Sequence, residues 1–340
     1  MDRSYKQVLR ESAREIAFRF LCQHRQGDHP NVFLYCSRRG GSTWLLSILA
    51  AHPGVRYVGR PFLSLLWSRW RWSLPDLDAA AGTPATDHPY EHFIAFGERE
   101  EAAFIDIARR VADGSLIVNP VLRLNAPYFE RKTDRVVFQV THVPAMIETL
   151  SERVDAQPVV LVRHPIPTAL SVMQKGWRVE AHDYLNHKGF AYGHLNQWQR
   201  ELARNIMENG DELEKHVLDW SLKMMLPIRA AIEHLDWPRL SYEGLTLDPV
   251  LNITALADVL RLEEVEPMLE QSKRASVTVT EKTTSHLDDP EYLLRRWRDK
   301  VGADQERRLL EITKEFGASI YEPGEDRPTH PAFQEVVPAP

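Results

Sequence analysis

Residues 36–44 read Cys-Ser-Arg-Arg-Gly-Gly-Ser-Thr-Trp and follow a short apolar run, Asn31-Val-Phe-Leu-Tyr-Cys36. The adjacent glycines Gly40 and Gly41 let the backbone turn sharply and present its N–H groups. A helical pattern follows from Thr43 to Ala51 and aims its positive dipole end at the same place. Arg39, Ser42 and Thr43 add a cation and two hydroxyls. Strand, Gly-rich turn and helix in that order make a phosphate cradle. A second cation, Arg163, ends the apolar run Pro158-Val-Val-Leu-Val162. His142 follows another such run, Arg135–Val140. Taken alone, a histidine hydrogen-bonded at a strand end without catalytic duty is the better reading of that position, although an unperturbed pKa of about 6.5 lets an imidazole exist in its neutral form at cellular pH.

The cradle differs from an ATP or GTP loop. The glycine spacing of nucleotide hydrolases is absent, and the loop has no Lys. Their second strand commonly ends in an Asp that organises Mg²⁺, whereas the run 158–162 ends in Arg163. An Arg there repels a metal and attracts an anion, so the loop reads as built for a phosphate without a metal.

Periodicity supplies the elements that must position these groups. Leu9, Ala13, Ile16, Ala17, Phe20 and Leu21 share one face of a helix over residues 4–21, which predicts a buried face. Strands are predicted at Asn31–Cys36, Leu116–Asn119, Arg135–Val140, Pro158–Arg163 and Arg239–Tyr242. Helices are predicted over 99–112, 144–152, 166–175, most of 196–234, 249–260 and 289–316, with Asp248-Pro249 as a helix opening. Five prolines after Glu322 predict an extended or disordered tail. Strands alternating with helices predict an α/β fold with a mostly parallel central sheet covered by helices on both faces. Ligands of such sheets sit beyond the carboxyl ends of the strands. The expected organisation is one domain over 1–321 and a Pro-rich tail over 322–340. The domain would open with an N-terminal helix within 1–30 and carry acceptor-side loops or a lid at 60–95 and 176–196.

The formal charge of −6 lacks the basic excess of a nucleic-acid binder, so any bound anion must be held by local arginines. Two cysteines, Cys22 and Cys36, are too few for a disulfide framework, and no secretory signal is visible. No apolar stretch approaches the ~18 residues of a membrane span. The expectation is a cytoplasmic protein with no membrane or nucleic-acid partner and an unassigned oligomeric state.

The four chemistry-bearing segments together resemble those of the sulfotransferases that use 3′-phosphoadenylyl sulfate (PAPS). That family's 5′-phosphosulfate loop is similar to Arg38-Arg39-Gly40-Gly41-Ser42-Thr43-Trp44-Leu45. Its 3′-phosphate motif is an Arg with a Ser eight residues on, here Arg163 and Ser171. Its base-bearing segment resembles Val140-Thr141-His142-Val143-Pro144, about twenty residues before Arg163. A further segment matches Tyr242-Glu243-Gly244-Leu245 ahead of a Pro-opened helix. The resemblance covers residues 36–250 and leaves 60–130 and the last ninety residues unmatched.

It implies a P-loop-like fold and sulfuryl transfer from PAPS to a hydroxyl of a small molecule or carbohydrate, releasing PAP and needing no metal. It implies that residues 38–44, Arg163, Ser171 and Tyr242 bind the donor. It makes His142 the catalytic base and Arg39 the cation beside the leaving oxygen. Arg39 stands where Lys is commoner, Gly40 where Ser is usual, Val140 where Lys is frequent, and Gly244 where Asp is usual. The family's C-terminal Arg-Lys-Gly motif is absent, which leaves Lys273, Arg274 and Lys282 as further 3′-phosphate candidates.

His182, His187 and His194 fit no familiar zinc spacing. Trp67, Trp70 and Trp72, with Arg69 and Arg71 between them, suit an acceptor pocket or a core-facing aromatic stripe equally well. The competing functional readings are a P-loop kinase or nucleotide hydrolase and a PAPS-binding protein without chemistry.

Overall fold

The computed structural model describes residues 23–62, 98–113, 131–274 and 289–334, together with Leu116, Val336 and four positions between 13 and 21. Five parallel strands form its main sheet: β2 (Asn31–Cys36), β3 (Val55–Val58), β5 (Arg135–Val140), β6 (Ala156–Val162) and β7 (Arg239–Ser241), in the order β3-β5-β2-β6-β7. Two-residue strands β1 (Gln23–His24) and β4 (Lys132–Thr133) pair separately.

β2 is buried along its whole length. Its side chains alternate between two cores, as a period of two demands. Phe33 and Tyr35 face one core with Phe138, Val160 and Val162. Val32, Leu34 and Cys36 face the other with Val137, Val159 and Leu161. A continuous apolar run is what a strand covered on both faces requires. Burial pushes the Cys36 thiol up to about 11, against hydrogen bonding with Ser42 and Gln139, so it packs as a protonated, apolar group.

The helices are α1 (Ser42–Leu49), α2 (Glu98–Ala112), α3 (Ile147–Arg153), α4 (Pro165–Gln174), α5 (Ala181–Asn186) and α6 (Lys188–His194). They continue with α7 (Gln197–Asn209), α8 (Glu212–Glu233), α9 (Tyr242–Leu247), α10 (Pro249–Leu260), α11 (Glu266–Ser272), α12 (Pro290–Arg295) and α13 (Ala303–Glu315). Leu45, Ile48, Leu256 and Leu260, on α1 and α10, cover one face, and residues of α2, α3, α4 and α8 cover the other. The predicted helix over 196–234 is two helices, α7 and α8, each opened by a capping box, at Asn196/Gln199 and Asp211/Glu214.

Several expectations are corrected. The predicted acceptor-side loop or lid over 176–196 is mostly helical, containing α5 and α6, with His187 accepting from the Phe190 N–H to start the second. Its buried residues Ala181, Tyr184, Phe190 and Ala191 face the core with helical spacing, a signal that its loop-like composition masks. β3 is an addition, because its four residues alternate too briefly to register in the sequence. Ile16 and Phe20 are exposed, because spacing fixes which side chains share a face and not what covers it. The strand at 117–119, residues 63–95 with their tryptophans and most of the helix over 4–21 lie outside the described residues.

The described part of the tail is packed onto the domain. It contains a 3-10 turn, Pro331–Phe333, and buries Phe333 and Val336. The Arg239 N–H of β7 donates to the Val336 carbonyl at 2.9 Å. The buried Arg239 guanidinium donates to the Ala332 and Ala231 carbonyls. Proline content marked the absence of regular structure but carried no information on packing.

Removing residues 330–340 strips an apolar anchor and β7's backbone partner. With each buried large side chain worth about 1.5–3 kcal/mol, the truncated chain should lose roughly 3–6 kcal/mol in urea unfolding. A loss below about 1 kcal/mol would show that the tail is not part of the fold.

Candidate functional site

β2, β5, β6 and β7 all end on one side of the sheet, and the sequence-predicted residues follow those ends. The loop after β2 turns at Arg39, with φ 61°, and at Gly41, with φ 91°. Two features reserve position 41 for glycine. The backbone is left-handed there, and a Cβ would stand 2.5 Å from Cδ2 of Tyr242. At Gly40 a Cβ would meet the Ser37 hydroxyl at 2.9 Å, so Ser at this position would strain the turn.

Tyr242 opens α9 directly after β7, placed by a cap in which the Ser241 hydroxyl accepts from the Gly244 N–H. Its ring meets Trp44 edge-on at 5.8 Å, and the Arg163 guanidinium lies 4.2 Å from its centroid. Arg163 Nη1 also donates to the Arg39 carbonyl at 2.9 Å. Arg39 Nε donates to Ser171 Oγ at 2.9 Å. Ser42 Oγ accepts from Gln139 Nε2 at 2.7 Å. Thus Arg39, Gly41, Trp44, Arg163, Ser171 and Tyr242 come together at the carboxyl end of the sheet. Burial and then the nearby Arg163 cation both lower the Arg39 pKa, a repulsion that an anion would relieve.

Arg38, predicted beside them, is engaged elsewhere. Its Nη1 contacts Glu180 Oε1 at 2.7 Å and its Nη2 contacts Asp219 Oδ2 at 3.4 Å. Lys223 Nζ completes the group, 2.5 Å from Glu180 Oε2 and 2.7 Å from Asp219 Oδ2. Asp219 Oδ1 accepts from the Glu180 backbone N–H. Two cations and two anions from the loop after β2, the segment before α5 and helix α8 form a buried, neutral tetrad. Burial would raise the Glu180 carboxyl, but Lys223 and Arg38 bring it down to about 2.

The sequence reading missed Glu180, Asp219 and Lys223. Their one signal was the pair Asp219 and Lys223 within the mostly apolar stretch Val217–Leu226.

His142 follows β5 and is only 7% exposed. Its Nδ1 lies 2.6 Å from Thr141 Oγ1. Burial lowers its pKa to about 3, against the Glu180 carboxylate and together with Lys223, Arg60 and Arg38. The imidazole is therefore neutral at cellular pH. Adjacent to Arg163, His164 is structural. Its Nδ1 accepts from the Ile166 N–H to cap α4, and its ring packs on Trp297 and Tyr321 at centroid distances of 4.8 and 4.7 Å.

Lys273 is exposed and pairs with Glu270 at the end of α11, Arg274 follows it, and Lys282 lies outside the described residues. Among the described residues, no three His, Cys, Asp or Glu side chains gather as a metal-ligand set. No helix among them is long and apolar enough to cross a membrane.

A family model described as "Sulfotransferase family" matches residues 30–267. No curated protein matches the sequence. Among solved structures, the chain is similar to the sulfotransferase domain of the Synechococcus olefin synthase, with 18% identity, 88% of this chain and 99% of that one covered, and a TM-score of 0.44. A sulfotransferase domain from the curacin biosynthetic pathway gives 15% identity, coverages of 87% and 99%, and a TM-score of 0.44. A mouse sulfotransferase complexed with PAP gives 11% identity, coverages of 84% and 84%, and a TM-score of 0.37.

The buried charges make stability testable at two points. Lys223→Met leaves two carboxylates facing Arg38 alone, and breaking a buried ion pair costs about 3–5 kcal/mol. Urea unfolding should show a loss of that size, and a change under about 1 kcal/mol would mean that the tetrad is solvated. Separately, His142 and His164 both have folded pKa values lowered to about 3 by burial. Unfolded histidine titrates at about 6.5, so below that pH the unfolded chain takes up protons that the folded chain refuses. Stability is then complete above about pH 6.5 and falls as pH drops toward 3, by up to about 1.4 kcal/mol per pH unit for each histidine. His164→Asn, which keeps a capping oxygen, should make the loss between pH 7 and 5 shallower by about one histidine's share. An unchanged slope would remove His164 from this account.

Proposed function

The chain belongs to the sulfotransferase family, and we propose that it moves the sulfuryl group of PAPS to a hydroxyl of a small-molecule or carbohydrate acceptor, releasing PAP in the cytoplasm. The observation that carries the reading is the convergence of Arg39, Arg163, Ser171 and Tyr242 on the glycine turn after β2. Phosphate-rich ligands favour such a site, because it offers turn N–H groups and two arginines at one end of a parallel sheet.

The residues fit the donor. PAPS carries its sulfuryl group on a 5′-phosphate and a second phosphate on its 3′-oxygen. Gly41, Ser42 and Thr43 would hold the 5′-phosphosulfate through backbone N–H groups and hydroxyls. Arg39 would stand beside it and offset the charge left on the bridging oxygen, a task suited to a side chain that stays cationic. Arg163 and Ser171 would hold the 3′-phosphate. Ser171 accepts from Arg39 and so fixes the direction of that guanidinium. Tyr242 and Trp44 would supply aromatic surface next to the loop.

His142 would take the acceptor's proton. Its burial keeps it unprotonated, and Thr141 fixes one side of its ring. The Glu180 carboxylate favours the imidazolium that forms, against burial and the nearby cations Lys223, Arg60 and Arg38. A positioned base contributes about 10²–10⁴-fold.

The test is calorimetric titration with PAP, and with ADP as the comparison, in EDTA. Micromolar or tighter PAP binding with much weaker ADP binding supports the reading, and nucleotide binding that requires Mg²⁺ would favour a kinase or hydrolase. His142→Ala should cut turnover by at least about 10²-fold while leaving PAP affinity unchanged. Arg163→Ala should weaken PAP about tenfold or more, as expected for a lost charge-assisted contact. Wild-type turnover and PAP binding in both variants would overturn the assignment.

A further inference from the structure

Residues beyond the family-matched stretch fold back onto the donor end of the sheet. Glu243, one residue after Tyr242, is 1% exposed. Its Oε1 accepts from the His164 backbone N–H at 2.9 Å, one residue after Arg163. Its Oε2 accepts from the Tyr321 hydroxyl at 2.9 Å. Burial pushes the Glu243 carboxyl up, while the His164 N–H, the Arg163 cation and the Tyr321 hydroxyl hold it back. The ends of β6 and β7 are therefore tied by one carboxylate, and that carboxylate is tied to the chain after α13. On either side of the tie stand Arg163 and Tyr242, whose guanidinium and ring lie 4.2 Å apart.

We infer that Glu243 and Tyr321 are positioning residues for the donor site, setting the spacing of Arg163 and Tyr242 around the glycine turn. The inference rests on the PAP reading above. Neither residue needs to touch the nucleotide. Glu243 holds the strand-end backbone from which Arg163 projects, and Tyr321 keeps the second oxygen of Glu243 occupied. The same tie fixes Tyr242 against Gly41, where the room left is less than a methyl group. Tyr321, outside the family-matched stretch, in this way supports the donor site.

The experiment measures PAP affinity by calorimetry, donor and acceptor KM, and thermal unfolding for four variants, all at a temperature where each is folded by circular dichroism. Tyr321→Phe should weaken PAP about tenfold and raise the donor KM to match, with the acceptor KM and kcat nearly unchanged, as for loss of a hydrogen bond to a charged group. Glu243→Ala should weaken PAP further. Glu243→Gln, which can still accept from the His164 N–H, should recover most of the affinity lost in Glu243→Ala. Phe333→Leu is the control. It loosens buried packing of the same C-terminal segment without touching Glu243, so it should lower the melting temperature and leave PAP affinity alone.

Equal PAP affinity in wild type, Tyr321→Phe and Glu243→Ala would overturn this inference and leave the PAP reading standing. So would a loss in Phe333→Leu as large as in Tyr321→Phe. No PAP binding by the wild-type chain would overturn both.

Discussion

A single missing methyl group organises the carboxyl end of the sheet. At Gly41 the backbone is left-handed, and the Tyr242 ring occupies the space in which any other residue would place its Cβ. That contact brings the loop after β2 and the start of α9 closer than two ordinary side chains permit. Arg163 then fills the remaining side, stacking on the ring and holding the Arg39 carbonyl. The φ of 61° at Arg39 follows from the same turn and lets its side chain reach Ser171. A turn this tight needs strands in fixed register beneath it. The parallel pairing of β2 with both β5 and β6, buried on both faces, provides that register.

Charge is handled in two different ways a few residues apart. Arg38 is neutralised inside the protein, where Glu180 and Asp219 share it with Lys223. Arg39 is held near another arginine, and burial and repulsion both work against its charge. The first arrangement fixes the loop to α8 and the segment before α5. The second leaves the loop with a local demand for negative charge in a chain whose formal net charge is −6. Local placement, not the overall field, is what makes the site attractive to an anion.

Most of the parallel sheet is readable in the sequence because each strand is short, apolar and bounded by turn formers. The strand Arg135–Val140 and the helix opening at Asp248-Pro249 are both visible in the residue pattern, and the latter begins α10. The strand-end residues His142 and Arg163 are legible for the same reason, since a polar residue closing an apolar run stands at the rim of the sheet. The tetrad is not. Glu180 sits in a polar stretch, and nothing in its neighbours shows that it is buried or that its partners lie on α8. Tyr321 is hidden by distance along the chain, because a hydrogen bond across 78 positions leaves no local pattern. Periodicity reports which face a residue occupies; partners from remote segments are set only by packing.

The C-terminal segment has a consequence for how copies of the chain meet one another. β7 is the last strand of the main sheet, and an outermost strand offers its unpaired backbone groups to any passing strand. Here the Arg239 N–H is already bonded to the Val336 carbonyl, and Ala332 takes the guanidinium of the same residue. A short, irregular, proline-bearing stretch closes that edge without extending the sheet, since proline lacks the N–H that further pairing would use. Ala332 and Val336 thereby cover part of that edge, where the strand of a second copy would otherwise pair.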